Sequence, residues 1–473
     1  MPLILGTNSI KDTGYEVANS VRLDSASTAY LSRTVNLTQN TTSQHKFTIS
    51  CWFKLGKTGQ TNGELFGAFG SNDYFTVRVS NGNAIDILSY DDAIKGRLVT
   101  NQLLRDHSAW YHIVVACDSN NGSGTNRMRL YLNGSEVTSF STDTHPTSGT
   151  DLIAENMDTV NIGRNVDQAG GAGLFDGYIA EFVYIDNDQL EPDSFGEFDE
   201  DSPFMWKPKA VTGISGLSNT FSFYLDFEDS SNLGNDVSGN NNDFTSNNLT
   251  ALDQSTDTCT NNFCTLNPLD NYFASSTLAE GNLKITTNAS NYSYTRGTFG
   301  LSSGKWYFEQ KCVTANNNSF GVADDAATST TNQLEVRANG WSYYAGGHVY
   351  NNSSTVISPG TYTDNDILGC YLDLDNNKIY FAKNGTILNS GTGHSLTATS
   401  SLSTGLYFPA FGDGGTGSAV MEINFGSPSY SISSGNSDAN GYGNFEYDPS
   451  SGTFDGSSKN FYAICTKNLA EFG

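Results

Sequence analysis

The sequence predicts an all-β protein, because helix-forming tracts are missing and short alternating strands recur. Hydrophobic residues make up 37% of the chain and charged residues 16%. Long runs of Ala, Leu, Glu and Lys, which favour helices, do not occur. Instead, short runs rich in Val, Ile, Tyr, Phe and Thr alternate with polar residues and end at Gly, Asn, Asp or Ser, as half-buried strands do. The length of 473 residues allows two or three domains.

The first half, after an N-terminal arm at residues 1–19, has strands at the spacing typical of β-sandwiches. In the third strand every second residue from Phe47 to Phe53 is apolar, and Trp52 falls on the opposite face. We expect one sandwich over residues 20–190. Its predicted strands are, in order, SVRLD, AYLSR, FTISCWFKL, YFTVRVS, WYHIVVACD, MRLYLNG, VNIGR and GYIAEFVYID.

The composition changes after this region, and a second series of strands follows it. Residues 191–275 are polar and rich in Asn and Asp, with one strand candidate, FSFYLDFED, so we expect an ordered, loop-rich connector there. Strands resume in a second predicted sandwich over residues 276–430, and residues 431–473 form a tail. The predicted strands are NLKIT, KWYFEQKCV, FGVAD, GWSYYAGG, ILGCYLDLD, KIYFAKNG, YFPAFG and VMEINFG.

Each half contains an Asn-Gly hairpin signal, at Asn133-Gly134 and at Asn384-Gly385. Both residue types tolerate the positive φ that type I′ turns require. The surroundings of the first hairpin, FTISCWFK, WYHIVVACD, MRLYLNGSEV and FDGYIAEFVYIDNDQL, resemble the LamG form of the laminin-G/concanavalin A-like superfamily. The resemblance implies a jelly-roll sandwich that often binds glycans, sometimes with calcium.

The surroundings of the second hairpin resemble the SPRY domain, which is also a sandwich of two antiparallel sheets. GKWYFEQKC, FGVAD, GWSYY, DNDILGCYLDLDNNKIYFAKNG, LYFPAFG and INFG carry this resemblance, in that order. Domains of this family often hold protein segments with the loops at one edge. The resemblance therefore implies a binding edge in the second half of the chain.

The whole arrangement resembles virion proteins of marine tailed bacteriophages. The features that carry it are the LamG-like part, the connector LGNDVSGNNNDFTSNNLTALDQSTDT, the SPRY-like part and the ending AICTKNLAEFG. Many such proteins continue beyond CTKNLA into further repeats, whereas this sequence ends there. We therefore expect a virion protein that is made in a host cytoplasm.

Charge and cysteine content narrow the classes of partner. There are 24 Lys and Arg against 50 Asp and Glu, a net charge of −26, which repels phosphate backbones and argues against nucleic-acid binding. Seven cysteines, mostly within apolar strands, indicate buried free thiols rather than a disulfide framework. The N-terminal apolar run is too short for a signal-peptide core, and no stretch approaches a membrane span, so we expect no membrane insertion.

Catalytic chemistry is not expected from this sequence. Glycosidases of the concanavalin A-like fold carry Glu-x-Asp-x-x-Glu on one strand, which places the carboxylates on one face. The candidate concave strands hold Asp86 alone or no acid, so that signature is absent. Asp373 and Asp375 share a strand face beside a turn, where we expect a solvated hairpin edge. We therefore predict no enzyme.

Binding residues are predicted in the aromatic, Gly-rich segment GWSYYAGGHVYNN. Tyr343, Tyr344, His348 and Tyr350 could stack on sugar faces or hold a peptide. The alternative for Tyr343, and the preferred interpretation for the neighbouring Trp341, is a core position in a strand.

Calcium is the one cofactor that the sequence suggests, with weak carboxylate candidates at Asp118, Asp167 and Asp176. We predict a tail fibre or receptor-binding appendage that recognises a host-surface glycan or protein. Other virion proteins are expected as partners, and the protein is expected to be a homo-oligomer in the particle. A structural decoration protein of the capsid or tail is the first alternative, and a glycan depolymerase the second.

Overall fold

The computed structural model describes residues 12–35, 44–70, 73–153, 159–165, 173–273, 276–324 and 333–473. The chain divides into two compact units, here called the first unit (Thr13–Thr260) and the second unit (Asn261–Gly473). Strands dominate both, and the described residues contain one α-helix. The all-β prediction is confirmed.

Strands β1 to β18 belong to the first unit, in which short 3-10 helices occur at Gly124–Arg127, Pro192–Ser194 and Ala251–Asp253. The strands are β1 (Ser20–Leu23), β2 (Tyr30–Thr34), β3 (Lys46–Leu55), β4 (Gly63–Phe69), β5 (Asp73–Val79), β6 (Ala84–Asp91), β7 (Ala93–Leu103), β8 (Trp110–Asp118), β9 (Met128–Leu132), β10 (Ser135–Glu136), β11 (Phe140–Thr144), β12 (Thr159–Ile162), β13 (Gly177–Asp186), β14 (Gly196–Phe198), β15 (Trp206–Pro208), β16 (Phe223–Leu225), β17 (Thr245–Asn247) and β18 (Gln254–Ser255).

Two antiparallel sheets of the first unit form a sandwich. One has the order β10-β9-β8-β3-β13-β1-β18, with β16 also paired to β13, and the other has the order β11-β7-β6-β5-β4-β12-β2-β17. Apolar side chains from both sheets meet between them, as in the edge-to-face contact of Phe47 in β3 with Phe75 in β5 at 5.0 Å. The predicted alternation in β3 is confirmed, because Phe47 and Phe53 lie in this core and Trp52 packs in a separate cluster on the other face.

The outer face of the β3-containing sheet is covered by residues that follow the sandwich in sequence. Val114 and Val183 on that face pack against Phe195, Val211 and Tyr224. Both faces of β8 and β13 are therefore buried, which explains why WYHIVVACD and GYIAEFVYID are nearly continuous apolar runs. The sequence prediction placed a single strand in residues 191–275. The structure has five short ones, β14 to β18, and a sixth that follows in the second unit. Most are too short for a period of two to be visible in the sequence.

Two titratable side chains lie beneath this covering layer. His112 in β8 is bonded through Nε2 to the Ser50 hydroxyl at 2.9 Å and accepts a hydrogen bond at Nδ1 from the Trp206 indole at 3.0 Å. Glu181, at a bulge in β13, accepts a hydrogen bond from the Tyr224 hydroxyl at 2.7 Å. Burial lowers the pKa of His112 to about 3 and raises the pKa of Glu181 to about 7.

Strands β19 to β34 belong to the second unit, with 3-10 helices at Leu334–Val336, Asn389–Gly391 and Thr399–Ser401 and the helix α1 at Thr466–Phe472. The strands are β19 (Leu266–Phe273), β20 (Thr277–Ala279), β21 (Lys284–Thr286), β22 (Ser293–Gly297), β23 (Lys305–Thr314), β24 (Asn318–Ala323), β25 (Trp341–Tyr344), β26 (His348–Asn351), β27 (Ser354–Ile357), β28 (Ile367–Asp373), β29 (Lys378–Lys383), β30 (Thr386–Ile387), β31 (His394–Ser395), β32 (Phe408–Asp413), β33 (Val420–Asn424) and β34 (Tyr462–Ala463).

The second unit is also a sandwich of two antiparallel sheets. One has the order β19-β22-β32-β24-β25-β26-β27. The other has the order β20-β21-β33-β23-β28-β29-β30, with β31 paired to β29 and β34 paired in parallel to β23. Phe308 in β23 meets Phe320 in β24 at 5.3 Å and Phe411 in β32 at 5.8 Å, which places aromatic rings at the centre of the core.

The tail covers the outer face of the β23-containing sheet. Tyr371 and Tyr380 on that face contact the ring of Phe454, with centroids 4.9 and 5.1 Å apart. Asp373, predicted at a solvated edge, is fully buried and forms an ion pair with Lys459 of the tail at 2.8 Å. The expectation was wrong for Asp373 because the covering layer above its strand was not predicted, whereas Asp375 in the turn is exposed as expected. A buried carboxylate such as that of Asp373 needs a cationic partner, and Lys459 supplies it.

Both Asn-Gly hairpins are formed, and they share their local structure. Asn133 and Gly134 have φ values of 47° and 76°, and Asn384 and Gly385 have 46° and 75°, which confirms the predicted positive-φ turns. In each hairpin the asparagine Oδ1 accepts a hydrogen bond of 2.8 Å from a backbone N–H of the neighbouring strand.

Each hairpin glycine also lies under an aromatic ring from the segment that covers its sheet. A Cβ atom at Gly134 would lie 2.3 Å from the Trp206 ring, and one at Gly385 would lie 2.6 Å from the Tyr447 ring. Real Cβ atoms do not approach other atoms so closely, so these positions require glycine for both the turn and the covering contact.

All seven cysteines are free thiols, and six of them are buried, with Cys259 half-buried. The prediction of free rather than disulfide-bonded cysteines is confirmed. Among the described residues no helix is long and apolar enough to cross a membrane.

Candidate functional site

One edge of the second sandwich gathers four loops. Asn318, at the start of β24, pairs with Asp413 at the end of β32, and Ser319 pairs with Tyr344 at the end of β25. Tyr344 in turn pairs with His348 at the start of β26. This register brings together the segments 315–317, 344–348 and 413–417, and the residues that precede β28 join them.

Strand alternation separates the four predicted binding residues. Tyr343 points into the core, where it is fully buried, and its hydroxyl donates to the Gly360 carbonyl at 2.7 Å. It therefore contributes no surface to a ligand site, which corrects its inclusion among the candidates. The sequence analysis predicted a strand at GWSYYAGG but left open whether Tyr343 faces the core or a ligand. β25 and β26 pair here, and the period of two places Tyr343 on the core side.

The remaining three candidates, Tyr344, His348 and Tyr350, are half-buried and lie together. The ring of Tyr350 meets that of Tyr344 at 6.1 Å and that of His348 at 5.8 Å, both edge to face. His348 Nδ1 is bonded to the Ser358 hydroxyl at 2.9 Å. The three side chains form one aromatic patch, which is here called the aromatic edge.

Tyr344 is held firmly within this edge. Its hydroxyl donates to Asn317 Oδ1 at 2.7 Å. A Cβ atom at Gly346 would lie 2.6 Å from one side of the ring, and one at Gly414 would lie 2.9 Å from the other side. The ring thus fits between two positions that only glycine allows, so its orientation is fixed before any ligand arrives.

Two clefts flank the Tyr344 ring. The smaller cleft, of about 260 Å³, is bounded by Tyr344 and Tyr350 together with Gln333, Glu335, Val336, Ser353 and Gly414. The larger, open cleft, of about 790 Å³, is bounded by Tyr344, residues 315–317 and residues 361–364, among others. Together they offer the size and the mixture of aromatic and polar groups that small ligands and single side chains occupy.

Glu335 is the residue of this site that the sequence prediction missed. Only 5% of it is exposed, and burial raises its pKa to about 7, with a further contribution from the nearby Asp413 carboxylate. Burial also raises the pKa of Asp413 to about 6, against the opposing hydrogen bonds from the Gly415 N–H and the Thr287 hydroxyl. Perturbed acids beside a cleft are typical of functional sites.

The calcium candidates do not come together. Lys46 at one end of β3 pairs with Asp118, whereas Leu55 at the other end pairs with Gly177, next to Asp176. Nine residues of extended strand separate these ends by about 30 Å. Asp176 is instead bonded to the Ser25 hydroxyl at 2.7 Å, and Asp167 lies outside the described residues. Within the described ranges no group of three or more His, Cys, Asp or Glu could hold a metal ion.

Asp86, the one acid predicted on a candidate concave strand, has a structural partner on each side. Arg78 and Arg97 both donate to its Oδ2 at 2.9 Å, and Asp86 is 2% exposed. Arg97 also donates to Oδ1 at 3.1 Å, so both carboxylate oxygens serve ion pairs within the sheet.

The two units match two protein families. Residues 27–193 match the model of the Concanavalin A-like lectin/glucanases superfamily, and residues 305–428 match that of the SPRY domain. The chain contains a concanavalin A-like domain followed by a SPRY domain. The LamG and SPRY resemblances are thus confirmed, and the aromatic edge belongs to the SPRY domain.

Individual similar proteins cover only parts of the chain. The chain is 27% identical over 159 residues to the "Probable ATP-dependent RNA helicase ddx1" of Dictyostelium discoideum, a match that spans 34% of this chain and 19% of that protein. The crystal structure of the SPRY domain of human HERC1 is 18% identical, with a TM-score of 0.28, and covers 33% of this chain and 96% of that one. Domain 4 of the arabinanase AbnA from Geobacillus stearothermophilus, solved with arabinotriose, is 17% identical, with a TM-score of 0.24. The match covers 32% of this chain and 64% of that structure.

Proposed function

We propose that this protein is a bacteriophage virion component, a tail fibre or receptor-binding appendage that recognises a glycan or protein on the host surface. Its two domains fit a binding role. The observation that carries the proposal is the aromatic edge of the SPRY domain, where Tyr344 lies between two clefts and Tyr350 bounds the smaller one. The acidic composition argues against nucleic acid as the ligand, and the Glu-x-Asp-x-x-Glu signature of a glycan depolymerase is absent.

The virion assignment rests on the resemblance of the connector and the C-terminal segment to virion proteins of marine tailed bacteriophages. In such a particle the protein would sit among other virion proteins as a homo-oligomer whose copy number follows the symmetry of its attachment site. Modest affinity at each aromatic edge would then be multiplied by the number of copies that engage one cell.

The location is tested by imaging virions labelled with an antibody against residues 276–430. We expect the label at the tail tip. A label spread over the head would contradict the receptor-binding role and would favour the alternative of a decoration protein that acts through protein–protein contacts.

The binding role is tested with the purified full-length protein on glycan arrays and on host-cell surfaces. Tyr350→Ala removes one wall of the smaller cleft and should reduce binding about tenfold or more, since burying a large apolar side chain contributes about 1.5–3 kcal/mol. Tyr462→Ala is the matched control, because Tyr462 is a half-buried tyrosine on the other sheet of the second unit that stacks on Phe472 and lines neither cleft. Equal binding by both variants would place the ligand elsewhere.

A further inference from the structure

The Glu335 carboxylate at the smaller cleft is only half satisfied by the protein. One oxygen, Oε1, accepts a hydrogen bond from the Ser319 hydroxyl. The other oxygen, Oε2, is buried and has no hydrogen-bond donor in the described part of the protein. A buried carboxylate oxygen without a donor costs free energy, because its hydration is lost and nothing replaces it.

The backbone around Glu335 is fixed beside the cleft. The Ser353 N–H donates to the Glu335 carbonyl at 2.9 Å, and the Asn352 N–H donates to the Arg337 carbonyl at 3.1 Å. Leu334, the preceding residue, is buried in a small apolar cluster on the outer face of the sheet. The fold therefore holds the carboxylate against the cleft at the expense of its hydration.

The surroundings of Glu335 are negative. Asp413 is close enough to raise its pKa, and no lysine or arginine is among the described residues that line either cleft. The nearest basic residue in sequence, Arg337, has its guanidinium over the Tyr294 ring at 5.0 Å. Above about pH 7, where both groups are ionised, two carboxylates without a cation beside them produce a negative potential in the cleft.

The rim of the same cleft is aromatic. The rings of Tyr344 and Tyr350 stand edge to face at 6.1 Å, and Tyr344 is fixed by its hydroxyl bond and its two flanking glycines. Tyrosine faces attract cations, and apolar carbon chains pack well against them. Negative charge at depth and aromatic carbon at the rim suit a ligand with an apolar stem and a positively charged end.

We propose that the smaller cleft of the SPRY domain binds a lysine side chain of a protein partner, with the stem against Tyr344 and Tyr350 and the ammonium group directed at Glu335. This inference rests on the proposed function and narrows its ligand from a glycan or protein to a lysine-bearing protein segment. The cleft volume of about 260 Å³ accommodates one such side chain. An amine attached directly to a sugar ring lacks the stem that reaches an acid with only 5% exposure.

The test measures binding of N-acetyl-lysine-methylamide to the full-length protein by saturation-transfer NMR, with N-acetyl-norleucine-methylamide as the uncharged analogue. The lysine compound should bind at least about tenfold more tightly, because a hydrogen bond to a charged group is worth about 1.5–3 kcal/mol. Glu335→Gln keeps the side-chain shape and the acceptor for Ser319, and should abolish that preference. Glu422→Gln is the matched control, since Glu422 is on the other sheet and forms an ion pair with Lys311.

A second variant separates loss of the cleft from loss of the charge. Gly414→Ala would place a methyl group 2.9 Å from the Tyr344 ring and 3.1 Å from Glu335 Oε1, and should block the cleft while both carboxylates remain. Equal binding of the lysine and norleucine compounds, an unchanged preference in Glu335→Gln, or a preference for glucosamine would overturn the inference. A glycan or host-cell signal that Tyr350→Ala abolishes, without any lysine preference, would overturn it while the proposed function stands.

Discussion

Replacing Gly385 with alanine tests how the tail docks on the SPRY domain. Gly385 has φ of 75°, so alanine there costs about 1–2 kcal/mol from backbone strain alone. Its Cβ would also lie 2.6 and 2.8 Å from two atoms of the Tyr447 ring, and relief of such a clash costs about 1–3 kcal/mol more. Gly385→Ala should therefore destabilise the domain by about 2–5 kcal/mol.

Gly405 provides the matched control. It has φ of 73°, but a Cβ atom there would meet no atom within 4 Å, so Gly405→Ala should show the strain alone. Urea unfolding is monitored by hydrogen exchange in β28 and β29. The unfolding midpoint of Gly385→Ala should lie about 1 M lower in urea than that of Gly405→Ala, given a slope of about 2 kcal/mol per M.

A double-mutant cycle isolates the free-energy cost of the clash with the Tyr447 ring. In a Tyr447→Ala background the extra cost of Gly385→Ala should disappear, and only the strain should remain. If Gly385→Ala and Gly405→Ala were equally destabilising in the native background, the tail would not lie over the hairpin as described. The explanation of why this turn needs glycine would then reduce to its dihedral angles.

Two further predictions concern the covering layers. Phe454→Ala removes a fully buried ring that contacts Tyr371 and Tyr380, and should destabilise the SPRY domain by about 3–5 kcal/mol in urea unfolding, whereas Tyr292→Ala should cost under about 0.5 kcal/mol. In the first domain, Glu181 keeps its proton in the folded protein up to about pH 7 but loses it at about pH 4.5 in the unfolded chain, so its contribution to stability falls as pH rises from 4.5 to 7. His112 stays neutral in the folded protein but is protonated below pH 6.5 in the unfolded chain, so its contribution is lost as pH falls below 6.5. The unfolding free energy is therefore measured against pH between about pH 5 and 6. Its slope should become more positive by about 1.4 kcal/mol per pH unit in Glu181→Gln and more negative by the same amount in His112→Gln. Unchanged slopes would contradict these pKa shifts.

The fold could be predicted where local physics decides it. The alternation in β3 and the two Asn-Gly turns depend on residues close in sequence, so their pattern was visible. The covering layers were not predicted, although one signal existed. Tyr371 and Tyr380 are aromatic residues on the outward side of their strands, and outward aromatic residues on neighbouring strands indicate a face that another segment covers.

The candidate site was predicted only in part, for two physical reasons. The predicted segment lies at the loop edge, but the choice between Tyr343 and Tyr344 depends on the register of β25 with its neighbours, which the sequence of the strand alone does not reveal. Glu335 was missed because its burial arises from contacts distant in sequence, with Ser319 and with the residues at Ser353. Nothing within its own neighbourhood, TNQLEVRANG, distinguishes it from a solvated glutamate.

The covering layers also explain why the loop edge, and not a sheet face, is the candidate site of the SPRY domain. The outer face of the β23-containing sheet is occupied by Phe445, Phe454 and Phe461 of the tail, so it has no room for a ligand. On the other sheet, Leu334 packs onto the outer face and carries Glu335 with it. The segment that closes this face is thus the one that brings a half-satisfied carboxylate to the aromatic edge, and packing and binding depend on the same few residues. Loss of Leu334 packing should therefore weaken ligand binding through displacement of Glu335, even though Leu334 lines neither cleft.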